Sequence, residues 1–215
     1  MRSIAFLTRK GGAGKTTLTA SLAVAAAAAG EKVIAFDLDS QGSLVRWSER
    51  RKAANAPNSV VIEPLERERL PQLPAIFEGL AGVGFTLAVL DTAEADRGAL
   101  SLVIDSVDLC LLPARPTRLD VDATAATFRS VFLAKRSAAF VLNQCPSTYR
   151  SLRASEAGEQ LIRLGVLAEP MLPASIDFQD AIAAGLGVTE YARGGKAAQE
   201  IEALWHWIGA RLMPG

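Results

Sequence analysis

Eight residues near the start of the chain, Lys10-Gly11-Gly12-Ala13-Gly14-Lys15-Thr16-Thr17, constrain its fold more than any other feature. The three glycines permit a tightly curved backbone whose amides can surround an anion. Lys15 adds a mobile positive charge and Thr16 a hydroxyl suited to a magnesium ion. Such a loop needs a strand to anchor it and a helix whose positive end faces the same anion. Residues 3–8 form a short apolar run that reads as that strand, without the long apolar region of an export signal. Residues 16–29 are alanine-rich, favour helix, and stop at Gly30.

The apolar stretch at 32–37 completes a strand-helix-strand unit, and similar stretches recur at 85–91, 108–113 and 138–143. Strands that are apolar throughout belong in a parallel sheet covered on both faces. Segments 46–54, 73–80, 119–133 and 151–164 read as helices, and 57–64 contains a short strand. Residues 166–171 are expected as a last strand. Residues 197–212 form a terminal helix with Ile201, Leu204, Trp205, Ile208 and Leu212 near one stripe. The expected fold class is α/β, with three layers, a predominantly parallel central sheet and helices on both faces. With 215 residues and no linker or repeat to divide them, residues 1–215 are expected as one domain.

Half of the residues are hydrophobic and 21% are charged, which excludes a disordered or low-complexity chain. Lys and Arg balance Asp and Glu at 23 each, so no global basic field advertises nucleic-acid binding. Local candidates remain: Arg46 with Arg50, Arg51 and Lys52; Lys135 with Arg136; and Arg193 with Lys196. Cys110 and Cys145 cannot build a disulfide framework, and the single histidine, His206, is a poor warrant for a metal site. The run at 18–29 is too short and too weakly apolar for a membrane span. Leu204-Trp205-His206-Trp207-Ile208 reads as core or dimer packing, since Glu200 and Glu202 precede it.

Three carboxylates sit at expected strand ends. Asp37 and Asp39, two apart, place one group at the strand terminus and the other on the departing loop. Asp39 is the candidate to orient water and act as a switch, and Asp37 the candidate to hold magnesium directly or through an intermediary. Turn capping is the alternative for each. Asp91 closes Leu87-Ala88-Val89-Leu90, where a carboxylate holding magnesium avoids being a buried, unpaired charge, strand termination being the alternative. Asn143 ends another strand with an amide able to meet a purine edge or a neighbouring loop.

The stretch from Lys10 to Thr17 resembles the deviant Walker A motif of the ParA/MinD family of dimerising P-loop ATPases, with Lys10 as its additional lysine. Asp37-Leu38-Asp39-Ser40-Gln41 resembles a second family motif but has Ser40 in place of proline, and Leu87–Thr92 resembles Walker B. Thr92-Ala93-Glu94 departs from the usual Thr-Pro-Pro. The resemblance implies a P-loop NTPase that binds ATP with Mg2+ and hydrolyses it to ADP and phosphate. It implies a nucleotide cradle of Gly11, Gly12, Ala13, Gly14, Lys15, Thr16 and Thr17, with Asn143 at the adenine. Metal contacts would come from Thr16, Asp37 and Asp91, and catalytic groups from Lys10, Lys15 and Asp39. Lys10 would reach the phosphates across an ATP-dependent homodimer. Residues 173–180, including Ser175, resemble a late loop on the nucleotide side.

Leu111-Leu112-Pro113, the stretch from Pro116 to Asp120, and the lack of a preceding helix-turn-helix module make the chain resemble most the compact plasmid-partition ParA group. That implies a ParB-like centromere-binding adaptor and nonspecific DNA as partners. It also implies a cytoplasmic protein, associated with the nucleoid when ATP is bound, with a membrane partner unlikely. The chain is also similar to orphan cargo-positioning and conjugation-associated ParA proteins, and a small-molecule phosphoryl-transfer enzyme would share the same cradle.

Overall fold

The computed structural model describes residues 1–93, 97–146 and 152–213. Six apolar segments pair as strands: β1 (Arg2–Phe6), β2 (Val33–Asp37), β3 (Val60–Pro64), β4 (Leu87–Asp91), β5 (Leu109–Ala114) and β6 (Ala138–Leu142). They lie in the order β3-β2-β4-β1-β5-β6, and every neighbouring pair is parallel. The order reverses around β1, which places the loop after it at the point where open α/β sheets bind ligands.

Alternate side chains of each strand feed two cores. Ile4 and Phe6 point to one face with Leu18, Trp47 and Ile201, whereas Ala5 and Leu7 point to the other with Leu73, Leu100 and Leu161. The first core is covered by α1 (Lys15–Ala28), α2 (Ser43–Ala53), α7 (Ile176–Ala183), α8 (Val188–Tyr191) and α9 (Lys196–Leu212). The second is covered by α3 (Leu73–Gly82), α4 (Arg97–Ser106), α5 (Arg118–Leu133) and α6 (Leu152–Ile162). The result is the expected three-layer fold. Among the described residues no helix is long and apolar enough to cross a membrane.

One expectation fails and one helix goes unforeseen, each for a local reason. Residues 166–171 make no strand: Phe140 bridges to Leu167 and Cys145 to Pro173, but the ladder stops between them at Pro170, which has no N–H to donate. Helix α4 has Leu100, Val103 and Ile104 buried at helical spacing, a pattern obscured in the sequence by two adjacent β-branched residues. The helix expected over 151–164 spans Leu152–Ile162, its first expected residue lying outside the described ones.

Arg51, counted among the basic candidates, is not at the surface. It is 5% exposed and makes a two-pronged ion pair with Glu190 at 2.6 and 2.7 Å, while its guanidinium also donates to the Pro57 carbonyl. Arg50 donates to the Ile182 carbonyl, and Trp47 Nε1 to the Leu186 carbonyl. These contacts tie α2 to α7 and α8. Burial alone would raise the Glu190 carboxyl, but the hydrogen bonds from Arg51 and the Gly187 amide hold it below the ordinary glutamate range. Its contribution is therefore complete above the unfolded pKa and fades as pH falls through the lower folded value. Glu190→Ala, which strands a buried guanidinium, should cost about 3–5 kcal/mol in urea unfolding at neutral pH. The loss should shrink on acidification below roughly pH 4.

Candidate nucleotide site

Parallel register brings the site together. Phe6 and Asp37 both align with Asp91 across the sheet, so three strand ends release their loops side by side. The Thr92 hydroxyl donates to the Phe6 carbonyl at 2.6 Å and fixes the exit of β4 against that of β1.

The glycine loop leads into α1 with Gly12 and Gly14 at φ of 78° and 89°. Gly14 is required twice over: the left-handed backbone disfavours a side chain, and a Cβ there would lie 2.5 Å from Asn143 Nδ2. The reason for that proximity is a clamp. Asn143 Nδ2 donates to the Ala13 carbonyl at 2.9 Å, and Gln144 Nε2 to the Gly12 carbonyl at 3.0 Å. Asn143, expected at the adenine, thus has its amide donor engaged in holding the loop, the alternative open in the sequence. Gln144 was not singled out there.

Asp91 is 1% exposed, and among the described residues neither of its oxygens has a hydrogen-bond partner. Burial pushes its carboxyl up to about 7, aided by Asp37 and Asp39, with Thr16 and Lys15 pulling the other way. A buried carboxyl with Thr16 and Lys15 close by fits a magnesium ion and phosphates. Asp37 differs. Its Oδ2 accepts from the Leu44 and Val45 amides at 2.9 and 3.0 Å, and its Oδ1 from the Asp39 amide at 3.0 Å. Asp37 thus caps α2 through Oδ2, while Oδ1 accepts a single amide and keeps a lone pair for the expected magnesium, directly or through water. Asp39 is half-buried in the following turn, where one oxygen accepts from the Gln41 amide at 2.9 Å.

Lys10 turns away from its own loop. Its Nζ lies 3.1 Å from Asp120 Oδ2, on a carboxylate that also receives Arg115 Nε at 3.2 Å and the Thr117 hydroxyl. Burial would raise the Asp120 carboxyl, but Thr117, Lys10 and Arg115 hold it low. Arg115 in turn stands where a side chain on Gly12 would meet it, 3.7 Å from the place of a Cβ. Arg115 was not singled out in the sequence, and Asp120 figured there only as the end of the family-like stretch from Pro116; in the fold Thr117 caps α5 on the Asp120 amide. Ser175 caps α7, accepting from the Asp177 amide. Glu94 falls outside the described residues.

The VirC1 protein family model matches residues 1–184. The chain belongs to that family. VirC1-family membership places it among the ParA/MinD-superfamily deviant Walker A P-loop ATPases, without singling out the plasmid-partition group. It is 34% identical over 214 residues to maintenance of carboxysome distribution protein A from Gloeobacter kilaueensis, covering 98% of this chain and 94% of that one. It is 35% identical over 131 residues to protein virC1 from Rhizobium rhizogenes, a match covering 61% of this chain and 56% of that protein's length. In three dimensions it resembles apo McdA from Cyanothece, with a TM-score of 0.80, 17% identity, and coverage of 99% and 100%.

The Asp91 environment makes the sign of one pH effect calculable. A carboxyl whose folded pKa is raised favours the folded state's protonated form, so in metal-free solution stability should fall as pH climbs from about 4 through about 7. Asp91→Asn should remove that slope and be no less stable than wild type at pH 8. Denaturant titrations in chelator across this range measure it; a variant unfolding more easily at pH 8 contradicts the assignment of an uncompensated charge.

Proposed function

We propose that this chain is an ATP-dependent positioning switch, an Mg-dependent ATPase whose nucleotide-driven homodimerisation distributes a cellular cargo or a conjugation complex. The observation that carries the reading is the whole-length match to a protein named for carboxysome distribution, joined to the presence of Lys10. Family membership and the phosphate-loop geometry support ATP hydrolysis in general. The plasmid-partition reading, with a ParB-like adaptor and nonspecific DNA, is the narrower case. The burial of Arg51 leaves it fewer exposed cations on α2 than the sequence offered. We place the protein in the cytoplasm.

In this reading the loop amides and Lys15 hold the phosphates while Asn143 and Gln144 keep the loop in shape. Thr16 and Asp91 are the groups placed to hold magnesium, which when bound neutralises phosphate charge. Asp39 orients the attacking water from the loop beside them. Lys10 exchanges Asp120 for the partner protomer's phosphates, a swap between two anions that leaves its charge compensated in both states.

Four substitutions test this reading on purified protein. Lys15→Ala should weaken ATP binding by at least about tenfold in calorimetry, the loss of one charge-assisted contact. Lys10→Ala should abolish ATP-dependent dimerisation in light scattering while ATP still binds, whereas Asp120→Asn, which loosens the competing pair, should shift dimerisation to lower protein concentration. Equal dimerisation with ADP and ATP removes the switch. Separately, Asp39→Ala should slow phosphate release by roughly 100-fold or more while changing ATP affinity little, as expected for a group that assists only the chemical step. Partners isolated with the ATP-bound protein then decide the cargo: an adaptor that accelerates phosphate release without DNA supports cargo positioning, and one that requires DNA supports partition.

A further inference from the structure

On the face opposite α1, helices α4 and α5 border a groove of about 480 Å3. Its floor is apolar: Leu100 and Ile104 lie there at 3% and 2% exposure, and Leu133 stands on the rim at 74%. Two guanidiniums, Arg9 and Arg129, line the same groove, and among the described residues no acid does. Neither arginine has an ion-pair partner among the described residues.

Apolar floor, exposed apolar rim and unpaired cations form a combination that a solvated surface does not need. Scattered exposed apolar residues are ordinary, but here Leu133 stands over a trough floored by Leu100 and Ile104 and lined by two arginines. The charge fixes the complement. A segment seated there must bring carboxylates to Arg9 and Arg129, and aliphatic or aromatic side chains to Leu100, Ile104 and Leu133. A helix that alternates these at three- and four-residue spacing does both, and α5, at 16 residues and about 24 Å, offers a bed of suitable length. Duplex DNA would satisfy the arginines but leave the apolar floor and Leu133 uncovered.

We propose that the α4–α5 groove is a docking site for an acidic amphipathic helix of a partner protein. The inference goes beyond the positioning reading and does not need it, since the groove takes such a helix whether or not the chain hydrolyses ATP. Arg9 adjoins Lys10, so the docked segment ends beside the residue that pairs with Asp120.

Selection from a displayed library of helix-forming peptides of about 18 residues, roughly 27 Å of helix, on the full chain tests this. The expected binders carry Asp or Glu three or four residues apart beside Leu, Ile or Phe. By fluorescence anisotropy they should bind Arg129→Glu about tenfold more weakly than wild type, and Leu133→Glu similarly. Both positions are exposed, and circular dichroism checks that the variants are folded. Failure to enrich acidic amphipathic sequences overturns the proposal, as do binders that tolerate both substitutions. Displacement of the selected peptides by a short duplex of about 20 base pairs, with loss of that DNA binding in Arg129→Glu, also overturns it and identifies a nucleic-acid surface.

Discussion

At the end of β4 sits a carboxyl that burial pushes up to about 7 despite the pull of Thr16 and Lys15, and much of the site is arranged around that fact. Asp91 lies between β1 and β2 in a parallel sheet, so the backbone cannot turn it out to water without breaking a ladder on either side. Two further acids, Asp37 and Asp39, deepen the negative field. A protein that keeps such a group in its core gives up stability in the empty state. A cation and its phosphates would restore it, which makes the empty fold a poor competitor to the loaded one.

The nucleotide loop answers the same constraint from the other side. Its positive-φ glycines turn amides toward a common centre, but a loop with so much backbone freedom needs external restraint. That restraint comes from the far edge of the sheet: β6 is followed by Asn143 and Gln144, whose amides grip the carbonyls of Ala13 and Gly12. Gln144 adopts a left-handed φ of 55° to do so, a conformation uncommon for a side chain of its size and consistent with a fixed task. Loop geometry is thus set by tertiary contacts as much as by glycine content.

This division explains what could be read from the sequence. The loop, its two flanking elements and the apolar strands are local or periodic signals, and they led to the α/β architecture and to the strand-end acids. Partner choice is not local. Asp37 was legible as a strand-end acid, yet only the approach of the α2 amides shows that its Oδ2 is committed to capping. Asn143 was legible as a strand-end amide, but whether it meets a base or a loop depends on a segment about 130 residues away. The role of Asp120 was hidden because its partners Arg115 and Lys10 meet it only in the fold, while Thr117 caps α5 on its amide.

Helix α5 therefore carries two kinds of information along one rigid body. Its first turn holds Asp120, which competes with a phosphate for Lys10, and its later turns, with Arg129, Ser130 and Leu133, form a wall of the cationic groove. Arg9 closes the circuit, since it lines the groove and precedes Lys10 in the chain. Coupling between a docked segment and the nucleotide would then need no long relay of side chains. A displacement of α5 or Arg9 by an ångström changes the Lys10–Asp120 separation, and a charge-assisted contact of 3.1 Å is sensitive to a change of that size. The competition between Asp120 and phosphate for one lysine is a two-state element of the kind that allosteric coupling requires, because both occupants are anions and only one can hold Lys10 at a time.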